Sequence, residues 1–290
     1  MHSSPSQPLA GRIALVTGAS TGIGRVTARQ LALQGAHVYL ACRSEARTRP
    51  VIEEIQRLTG RAAAEWLELD LADTRSIRAC AARILSTGQP LHLLINNAGL
   101  AGARGLTRDG FEMAFGVNHL GHFLLTDLLL ERLKASAPAR IVTVASRAHR
   151  RAPAVIDWNA VQKPTRSLTG VREYAVSKLA NVLFSAELAR RLGGSGISTY
   201  ALHPGVVDTE VWRAVPRPLR PLLKLRGLLT PEEGALTTLH CAVYAPASES
   251  GLYYAQSAVT TPADRARDFR LAAELWRRSE EWVADIGRHG

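Results

Sequence analysis

The chain has 290 residues, 46% of them hydrophobic and 21% charged, and its formal net charge is +11. This composition is typical of a soluble globular protein with a sizeable core, and no run approaches the ~18 to 20 apolar residues of a membrane-spanning helix. The 36 Lys and Arg residues are scattered along the chain without a concentrated basic block, so no nucleic-acid partner is predicted.

Short apolar runs alternate with longer amphipathic segments along the chain. Strands are predicted at 12–17, 37–42, 64–70, 92–96, 140–145, 198–203 and 252–255, and helices near 23–34, 45–59, 74–87, 109–135, 171–192, 231–244 and 262–286. Strands that are apolar throughout are expected in a parallel sheet that is buried on both faces. The pattern predicts one α/β domain over 11–290, a Rossmann-type doubly wound parallel sheet of about seven strands, ordered 3-2-1-4-5-6-7, with helices on both faces.

Several features outside these elements limit the class of protein further. Residues 1–10 are polar and proline-containing, lack the apolar core of a secretory signal, and are predicted to be a flexible tail. The three cysteines show neither a disulfide framework nor a metal-ligand spacing, which favours a reducing compartment. His119 and His122 could share a helix face, but no third ligand accompanies them, so no metal site is predicted. We therefore expect a cytoplasmic protein without a transmembrane anchor.

The first predicted strand runs into the glycine-rich stretch TGASTGIG, residues 17–24. Its three glycines, Gly18, Gly22 and Gly24, allow a tight turn in which backbone N–H groups approach a pyrophosphate at the start of the next helix. A glycine-rich turn alone is weak evidence, but this one follows a strand and opens a helix, as a dinucleotide site requires.

The second predicted strand ends in ACRS, residues 41–44. Folds that select NAD place a carboxylate here to bind the ribose 2′-hydroxyl. This chain has Cys42 and Arg43 instead, and a guanidinium suits a 2′-phosphate by its charge and its fork of donors. The sequence therefore favours NADP over NAD, with a plain surface role for Arg43 as the alternative.

Polar and small residues follow the third, fourth and fifth predicted strands. Asp70 lies in LDLAD, NNAG spans 96–99, and Ser146 ends VAS. The carboxyl ends of parallel strands meet at the edge of the sheet where such folds bind ligands. Asn118 stands amid an apolar helical run, where a hydrogen-bonded core amide is the alternative to a functional role.

The stretch REYAVSKLANVLF, residues 172–184, places Tyr174 and Lys178 four residues apart in a helical segment. Residues four apart lie on the same face of a helix. A YxxxK pair occurs by chance in many chains, and a solvated surface pair is the simpler interpretation when it stands alone. With a Ser and a dinucleotide turn at the same sheet edge, the pair instead predicts a proton-transfer site.

These segments, in this order, resemble the short-chain dehydrogenase/reductase (SDR) family from about Gly11 to Leu252. The stretches VYLACR, FEMAFGVNHLGHFLLTDLL, YAVSKLANVLFSAELARRL and YALHPGVVDTEV are similar to its retinol dehydrogenase-like branch. That branch is associated with NADP(H)-dependent interconversion of retinoids or other lipophilic alcohols and their aldehydes or ketones. The resemblance implies a small lipophilic carbonyl or alcohol substrate and NADP(H) in preference to NAD(H).

The resemblance also implies site residues. The cofactor would be bound by Gly18, Ser20, Thr21, Gly22, Ile23, Gly24, Arg43, Asp70, Leu71, Asn97, Ala98, Gly99, Tyr174, Lys178, Pro204, Gly205, Val207 and Thr209. The catalytic set would be Asn118, Ser146, Tyr174 and Lys178. Tyr174 would be the general acid/base, with its pKa lowered by Lys178, Ser146 would hold the substrate oxygen, and Asn118 would hold a water.

Two features of the resemblance concern larger surfaces. Helices 109–135 and 171–192 pack subunits together in many relatives, which implies a homodimer or homotetramer. The segment 206–230 lies where family members carry a substrate-covering loop, and it is rich in Leu and Val. A lid over a lipophilic substrate, a subunit contact and a membrane-surface contact remain alternatives for it.

Two other functions share part of this pattern. Light-dependent protochlorophyllide reductases share ACR and NHLGHFLL-like segments but typically carry a Cys in the turn that reads NNAG here. A non-catalytic NADP-binding regulator with the same fold would need no proton donor, so the intact Ser146, Tyr174 and Lys178 argue against it.

Overall fold

The computed structural model describes residues 7–207 and 228–289, and within them the chain forms one sheet with helices on both faces. The strands are β1 Ile13–Thr17, β2 His37–Cys42, β3 Ala64–Glu68, β4 Leu93–Asn96, β5 Ala139–Val144, β6 Ile197–His203, β7 Tyr253–Ala255 and β8 Ala258–Val259. Their order is β3-β2-β1-β4-β5-β6-β7-β8, and every neighbouring pair is parallel except β7 and β8. The predicted fold class and strand order are confirmed.

The eighth strand was not predicted. It pairs antiparallel with β7 through a two-residue turn in which Gln256 and Ser257 have φ of 52° and 59°. Positive φ at both central residues is the geometry of a tight hairpin turn, which usually contains Asn or Gly. A two-residue strand after an atypical turn leaves no periodic pattern in the sequence.

Seven helices cross over between the strands or follow the last of them within the described ranges. They are α1 Gly22–Leu33, α2 Glu45–Thr59, α3 Thr74–Ser86, α4, α5 Val171–Arg191, α6 Pro231–Leu239 with a π turn His240–Tyr244, and α7 Phe269–His289. Helix α4 denotes Met113–Phe115, a π turn Gly116–Leu120 and Gly121–Ala135 together.

Two helices begin later than the sequence predicted. Glu112 pairs with Leu106 in a β-bridge and its carboxylate accepts the N–H of Phe115 at 2.9 Å, which fixes the start of α4 after residue 112 instead of at 109. A 3-10 turn, Asp264–Arg267, precedes α7. The Asp268 carboxylate then accepts the N–H of Arg270 at 2.9 Å, so the helix starts after this turn instead of at 262.

The core is divided by the sheet into two layers. Leu15, Leu94 and Ile141 face the side of α3, α4 and α5, while alternate residues such as Val16 and Val142 face the side of α1 and α2. This alternation follows from the two-residue period of a strand. Both layers are apolar, which explains why the strands are continuous hydrophobic runs.

Helix α5 is surrounded by other elements, and every residue from 175 to 185 is buried. Helix α7 covers its outer side and that of α4, with the Trp276 ring stacked on Phe184 at 5.8 Å and edge-to-face with Phe123 at 5.0 Å. His119 of α4 forms a hydrogen bond of 3.1 Å with Ser279 of α7. A helix that is buried all round is expected to be hydrophobic beyond a single stripe, as the sequence of α5 is.

Several predictions fall wholly or partly outside the described residues. Thr209 and most of the segment 206–230 lie there, as do residues 1–6 of the predicted tail. Of the tail residues that are described, Leu9 is buried, and its N–H donates to Gln34 O at 3.0 Å. Among the described helices, none is both long and apolar enough to cross a bilayer.

Candidate active site

A cleft of about 1590 Å³ opens at the carboxyl edge of the sheet, and nearly all the predicted site residues line it. They are Gly18, Ser20, Thr21, Gly22, Ile23, Gly24, Arg43, Asp70, Leu71, Asn97, Ala98, Gly99, Ser146, Tyr174, Lys178, Pro204, Gly205 and Val207. The volume exceeds the ~300 to 1,000 Å³ typical of a pocket for one small molecule, so a dinucleotide and a substrate can share it. Asn118 lies just behind the cleft wall.

The glycine-rich turn is shaped for close approach of the backbone. Gly18 has a φ of 67°, and an added Cβ would lie 2.9 Å from Cα of Ala98. At Gly24 a Cβ would collide with the amide of Asn97 and with the Gly18 carbonyl. The turn leads into α1, whose N-cap Thr21 makes no side-chain capping bond and whose first turn carries no acidic residue. This helix end is suited to an anion such as a pyrophosphate.

The far end of the cleft carries the residues predicted to contact adenosine. Arg43 follows β2, is exposed, and lines the cleft. The Asp70 carboxylate accepts the N–H of Ala72 at 3.0 Å and so shapes the turn after β3. The exposed guanidinium, the glycine turn and the start of α1 together fit a dinucleotide.

Tyr174 and Ser146 meet on the opposite wall. Ser146 follows β5, and its hydroxyl accepts the N–H of Ala148 at 3.1 Å at the start of a 3-10 turn. Burial raises the pKa of the Tyr174 phenol, while a hydrogen bond with the Ser146 hydroxyl lowers it. The structure therefore brings together two hydroxyls, 28 residues apart in the sequence, that can both bind one substrate oxygen.

Lys178 lies one turn further along α5 and is 3% exposed. Its Nζ donates to Val144 O at 2.8 Å and lies 5.7 Å from the centroid of the Tyr174 ring. Burial lowers the pKa of this ammonium to about 7. In the structure the ammonium donates to the end of β5, and the lowering of the Tyr174 pKa by Lys178 stays a prediction.

Asn118 sits in the π turn of α4 and is fully buried. Its Oδ1 accepts the N–H of Leu100 at 2.9 Å, and its Nδ2 donates to Leu100 O at 3.0 Å and to Ser177 Oγ at 2.9 Å. Gly99 separates it from the cleft, since an added Cβ there would lie 3.4 Å from Asn118 Oδ1 and 3.3 Å from Lys178 Nζ. The side chain fixes the turn after NNAG and lies behind Lys178.

Two buried residues that the sequence did not single out as site residues, Thr17 and His122, support this arrangement. The Thr17 hydroxyl accepts the N–H groups of Asn97 and Ala98, both at 2.9 Å. It also lies 2.9 Å from His122 Nε2, while His122 Nδ1 lies 3.0 Å from Asn118 O. Since a carbonyl can only accept, Nδ1 carries the proton and Nε2 accepts the Thr17 hydroxyl proton.

This chain of bonds ties β1, the NNAG turn and the π turn of α4 together. Burial lowers the pKa of His122 to about 4, so the imidazole stays neutral and the directions of its bonds are fixed. The sequence signals were present, since Thr17 is the first residue of TGASTGIG and His122 is polar within an apolar helical run. His122 was considered only as a metal ligand, although no group of three or more His, Cys, Asp or Glu in the described residues could hold a metal ion.

His203 is a further polar residue of the cleft. It ends β6, is 7% exposed, and neither of its ring nitrogens has a hydrogen-bond partner among the described residues. Burial and the charges of Arg147 and His149 lower its pKa to about 4. A neutral imidazole buried without partners incurs a desolvation cost, which a polar ligand in the cleft would relieve.

The lowered pKa of Lys178 makes a prediction about stability in the absence of cofactor. Between pH 7 and the ordinary lysine value of 10.5 the unfolded chain holds a proton that the folded chain does not, so the free energy of unfolding rises with pH. Lys178→Met removes this contribution. The unfolding free energy of the variant minus that of the parent should fall by about 1 kcal/mol per pH unit above pH 7.

Urea unfolding of both proteins at pH 6, 7, 8 and 9 measures this difference. The matched control is Lys163→Met, which replaces an exposed lysine. A difference for Lys178→Met that does not change between pH 7 and 9 would show that this ammonium is not desolvated in the folded protein.

The sequence is similar to a family model and to known proteins over most of its length. Residues 12–219 match the family model described as short chain dehydrogenase. Retinol dehydrogenase 12 of Homo sapiens is 46% identical over 281 residues, which cover 94% of this chain and 86% of that protein.

Two solved structures show the same likeness. A protein of uncharacterised function from Mycobacterium paratuberculosis superposes with a TM-score of 0.78 at 34% identity, covering 97% of this chain and 95% of that one. A short chain dehydrogenase from Escherichia coli CFT073, solved in complex with NADPH, has a TM-score of 0.68 and 27% identity, with coverage of 87% and 99%.

Proposed function

Because the chain belongs to the short-chain dehydrogenase/reductase family of oxidoreductases, we propose that it is an NADP(H)-dependent enzyme that interconverts a lipophilic alcohol and its aldehyde or ketone, with Tyr174 as general acid/base. The observation that carries the proposal is the convergence of three side chains. Ser146, Tyr174 and Lys178 come from β5 and α5 and line one wall of a cleft that also contains the glycine-rich turn.

The bound nicotinamide would supply the hydride for carbonyl reduction, and the protein supplies the proton and the positioning. Ser146 donates a hydrogen bond to the substrate oxygen and polarises the carbonyl group. Tyr174 transfers its phenolic proton to the same oxygen as negative charge develops there. Because the pKa of Lys178 is lowered to about 7, this group can exchange protons with water at neutral pH and help to restore the phenol.

The buried network behind the wall explains how these groups keep their places. The side-chain amide of Asn118 is hydrogen-bonded to the backbone of Leu100. His122 bridges the backbone carbonyl of Asn118 and the hydroxyl of Thr17. The cofactor side of the cleft thus rests on groups whose hydrogen bonds are satisfied. A site held on such a base loses little entropy when substrate binds.

Apolar residues support a lipophilic substrate. Leu100, Met113, Val117 and Leu228 line the same cleft as Tyr174. Retinol dehydrogenase 12 carries a lipophilic alcohol in its name, and its similarity to this chain extends over most of both proteins. An apolar wall next to two hydroxyls suits an alcohol or carbonyl group attached to a hydrocarbon body.

Arg43 supports NADP(H) as the cofactor, and Arg43→Ala tests it. Charge-assisted hydrogen bonds to a phosphate contribute about 1.5 to 3 kcal/mol, so the dissociation constant for NADPH should rise by about 10- to 100-fold. The constant for NADH, which lacks the 2′-phosphate, should change by less than about twofold. Fluorescence titration of both cofactors gives the two constants.

The control is Arg57→Ala, which removes an exposed arginine in the last turn of α2 that does not line the cleft. It should leave both constants unchanged. Equal weakening of NADPH and NADH in Arg43→Ala would mean that Arg43 does not bind the 2′-phosphate.

The proposed reaction is tested by following NADPH oxidation with a panel of aldehydes and ketones of increasing hydrocarbon length. We expect turnover, with kcat/KM rising as apolar surface is added to the substrate. Tight NADPH binding without turnover of any panel member would instead favour a regulatory NADP-binding protein.

A further inference from the structure

The substrate side of the cleft is lined by arginines. The 3-10 turn Arg147–Arg151 follows Ser146 directly, and Arg147, Arg150 and Arg151 line the cleft together with Arg104. Among the described lining residues the only carboxylate is Asp70, which lies at the adenosine end. The part of the cleft beyond Ser146 and Tyr174 therefore carries four positive charges and no described negative one.

Two of these guanidinium groups are held by the protein and two are not. Arg104 donates to Leu168 O at 3.3 Å, and Arg150 donates to Thr261 O. The guanidinium groups of Arg147 and Arg151 make no hydrogen bond or ion pair with any residue in 7–207 or 228–289. Within these ranges no protein group occupies the donors of Arg147 and Arg151.

The charge of Arg147 acts on the interior of the cleft as well as on solvent. It contributes to the lowered pKa of His203, and it also lowers the pKa of Tyr253, which burial raises to about 12. His203 has two ring nitrogens without partners, as described above. The wall beside Ser146 thus carries positive charge, and this charge reaches the buried imidazole of His203.

A cleft with one apolar wall and one cationic wall suits a substrate that has an apolar end and an anionic end. A wholly neutral lipophilic molecule would leave the cationic wall unused, whereas a guanidinium fork matches the oxygens of a carboxylate or phosphate. Positive charge concentrated in a cleft also raises the local concentration of anionic ligands. We propose that the substrate is an amphiphilic carbonyl compound or alcohol whose oxyanion group is bound by Arg147 and Arg151. This inference rests on the proposed function.

The experiment compares three aldehydes of similar size with NADPH as the reductant. They are 4-methylbenzaldehyde, which is neutral, 4-carboxybenzaldehyde and 4-formylphenyl phosphate. One charge-assisted hydrogen bond gained by the anion is worth about 1.5 kcal/mol or more, so kcat/KM should be at least about tenfold higher for an anionic aldehyde than for the neutral one. The better of the two anions identifies the group as a carboxylate or a phosphate.

Variants test whether Arg147 and Arg151 cause the preference for an anionic aldehyde. In the double variant Arg147→Gln with Arg151→Gln the ratio of kcat/KM for the anionic and neutral aldehydes should fall to about one, because both unpaired donors are removed. Arg57→Gln, which makes a matched charge change at an exposed position outside the cleft, should keep the ratio of the parent. The preference of the parent should also fall with added salt.

The outcomes separate this inference from the proposed function. Equal kcat/KM for all three aldehydes, or a preference that survives in the double variant, would overturn the oxyanion site and leave the carbonyl chemistry standing. Failure to reduce any of the three aldehydes or any member of the neutral panel would overturn the proposed function, and the inference with it.

Discussion

Replacing Tyr174 by phenylalanine is expected to lower kcat by about 10³-fold, because the substitution keeps the ring and removes the hydroxyl that we propose as the proton donor to the substrate oxygen. The NADPH dissociation constant should change by less than about twofold, since the phenol is not its main anchor. Steady-state NADPH oxidation with an accepted aldehyde gives kcat, and fluorescence titration gives the dissociation constant.

A matched control exists within the chain. Tyr244 is 63% exposed and does not line the cleft, so Tyr244→Phe removes one phenol at a site remote from the chemistry. It should keep the kcat of the parent. A Tyr174→Phe variant with an undiminished kcat would contradict the role of Tyr174 as proton donor.

Lys178→Met is expected to lower kcat by about 10²-fold and to raise the NADPH dissociation constant as well. Methionine keeps the apolar stem packed in the core but removes the Nζ that donates to Val144 O and lies beside Gly99. Loss of a buried donor that, as we propose, also binds the cofactor should weaken both steps, each by about 1.5 to 3 kcal/mol per hydrogen bond. The same two assays measure the effect.

The two substitutions therefore differ in kind. Tyr174→Phe affects kcat alone, whereas Lys178→Met affects kcat and cofactor binding together. Lys163→Met serves again as the control, because Lys163 is exposed and does not line the cleft. If Lys178→Met changes kcat but not the NADPH dissociation constant, Lys178 does not contact the cofactor.

The parts of the fold that the sequence predicted are those with long periodic patterns. Seven apolar strands and the helices between them were recognised because burial on both faces of a parallel sheet leaves continuous hydrophobic runs. The start of α4 was wrong because the β-bridge of Glu112 forms with Leu106, a contact that helical periodicity does not reveal. Strand β8 was not predicted because a strand of two residues is too short to show the alternating hydrophobic pattern of a strand.

The same contrast holds within the site. Residues at the carboxyl ends of parallel strands could be assigned to one edge, since the topology of the fold brings those ends together. The hydrogen bond between Thr17 and His122 is buried and joins residues 105 apart in the sequence, so no local sequence pattern indicates it. The direction of Lys178 toward Val144 O likewise depends on packing that only the folded chain defines.

Helix α7 has a consequence for how this chain meets other copies of itself. The resemblance implied that α4 and α5 would pack subunits together, and here Trp276 of α7 lies against Phe123 and Phe184 of those helices. Helix α7 thus covers, from within the same chain, the apolar face that Phe123 and Phe184 form. The outward side of α7 is charged, with Arg277, Glu280 and Glu281 exposed to solvent. Association through α4 and α5 would therefore require α7 to be displaced.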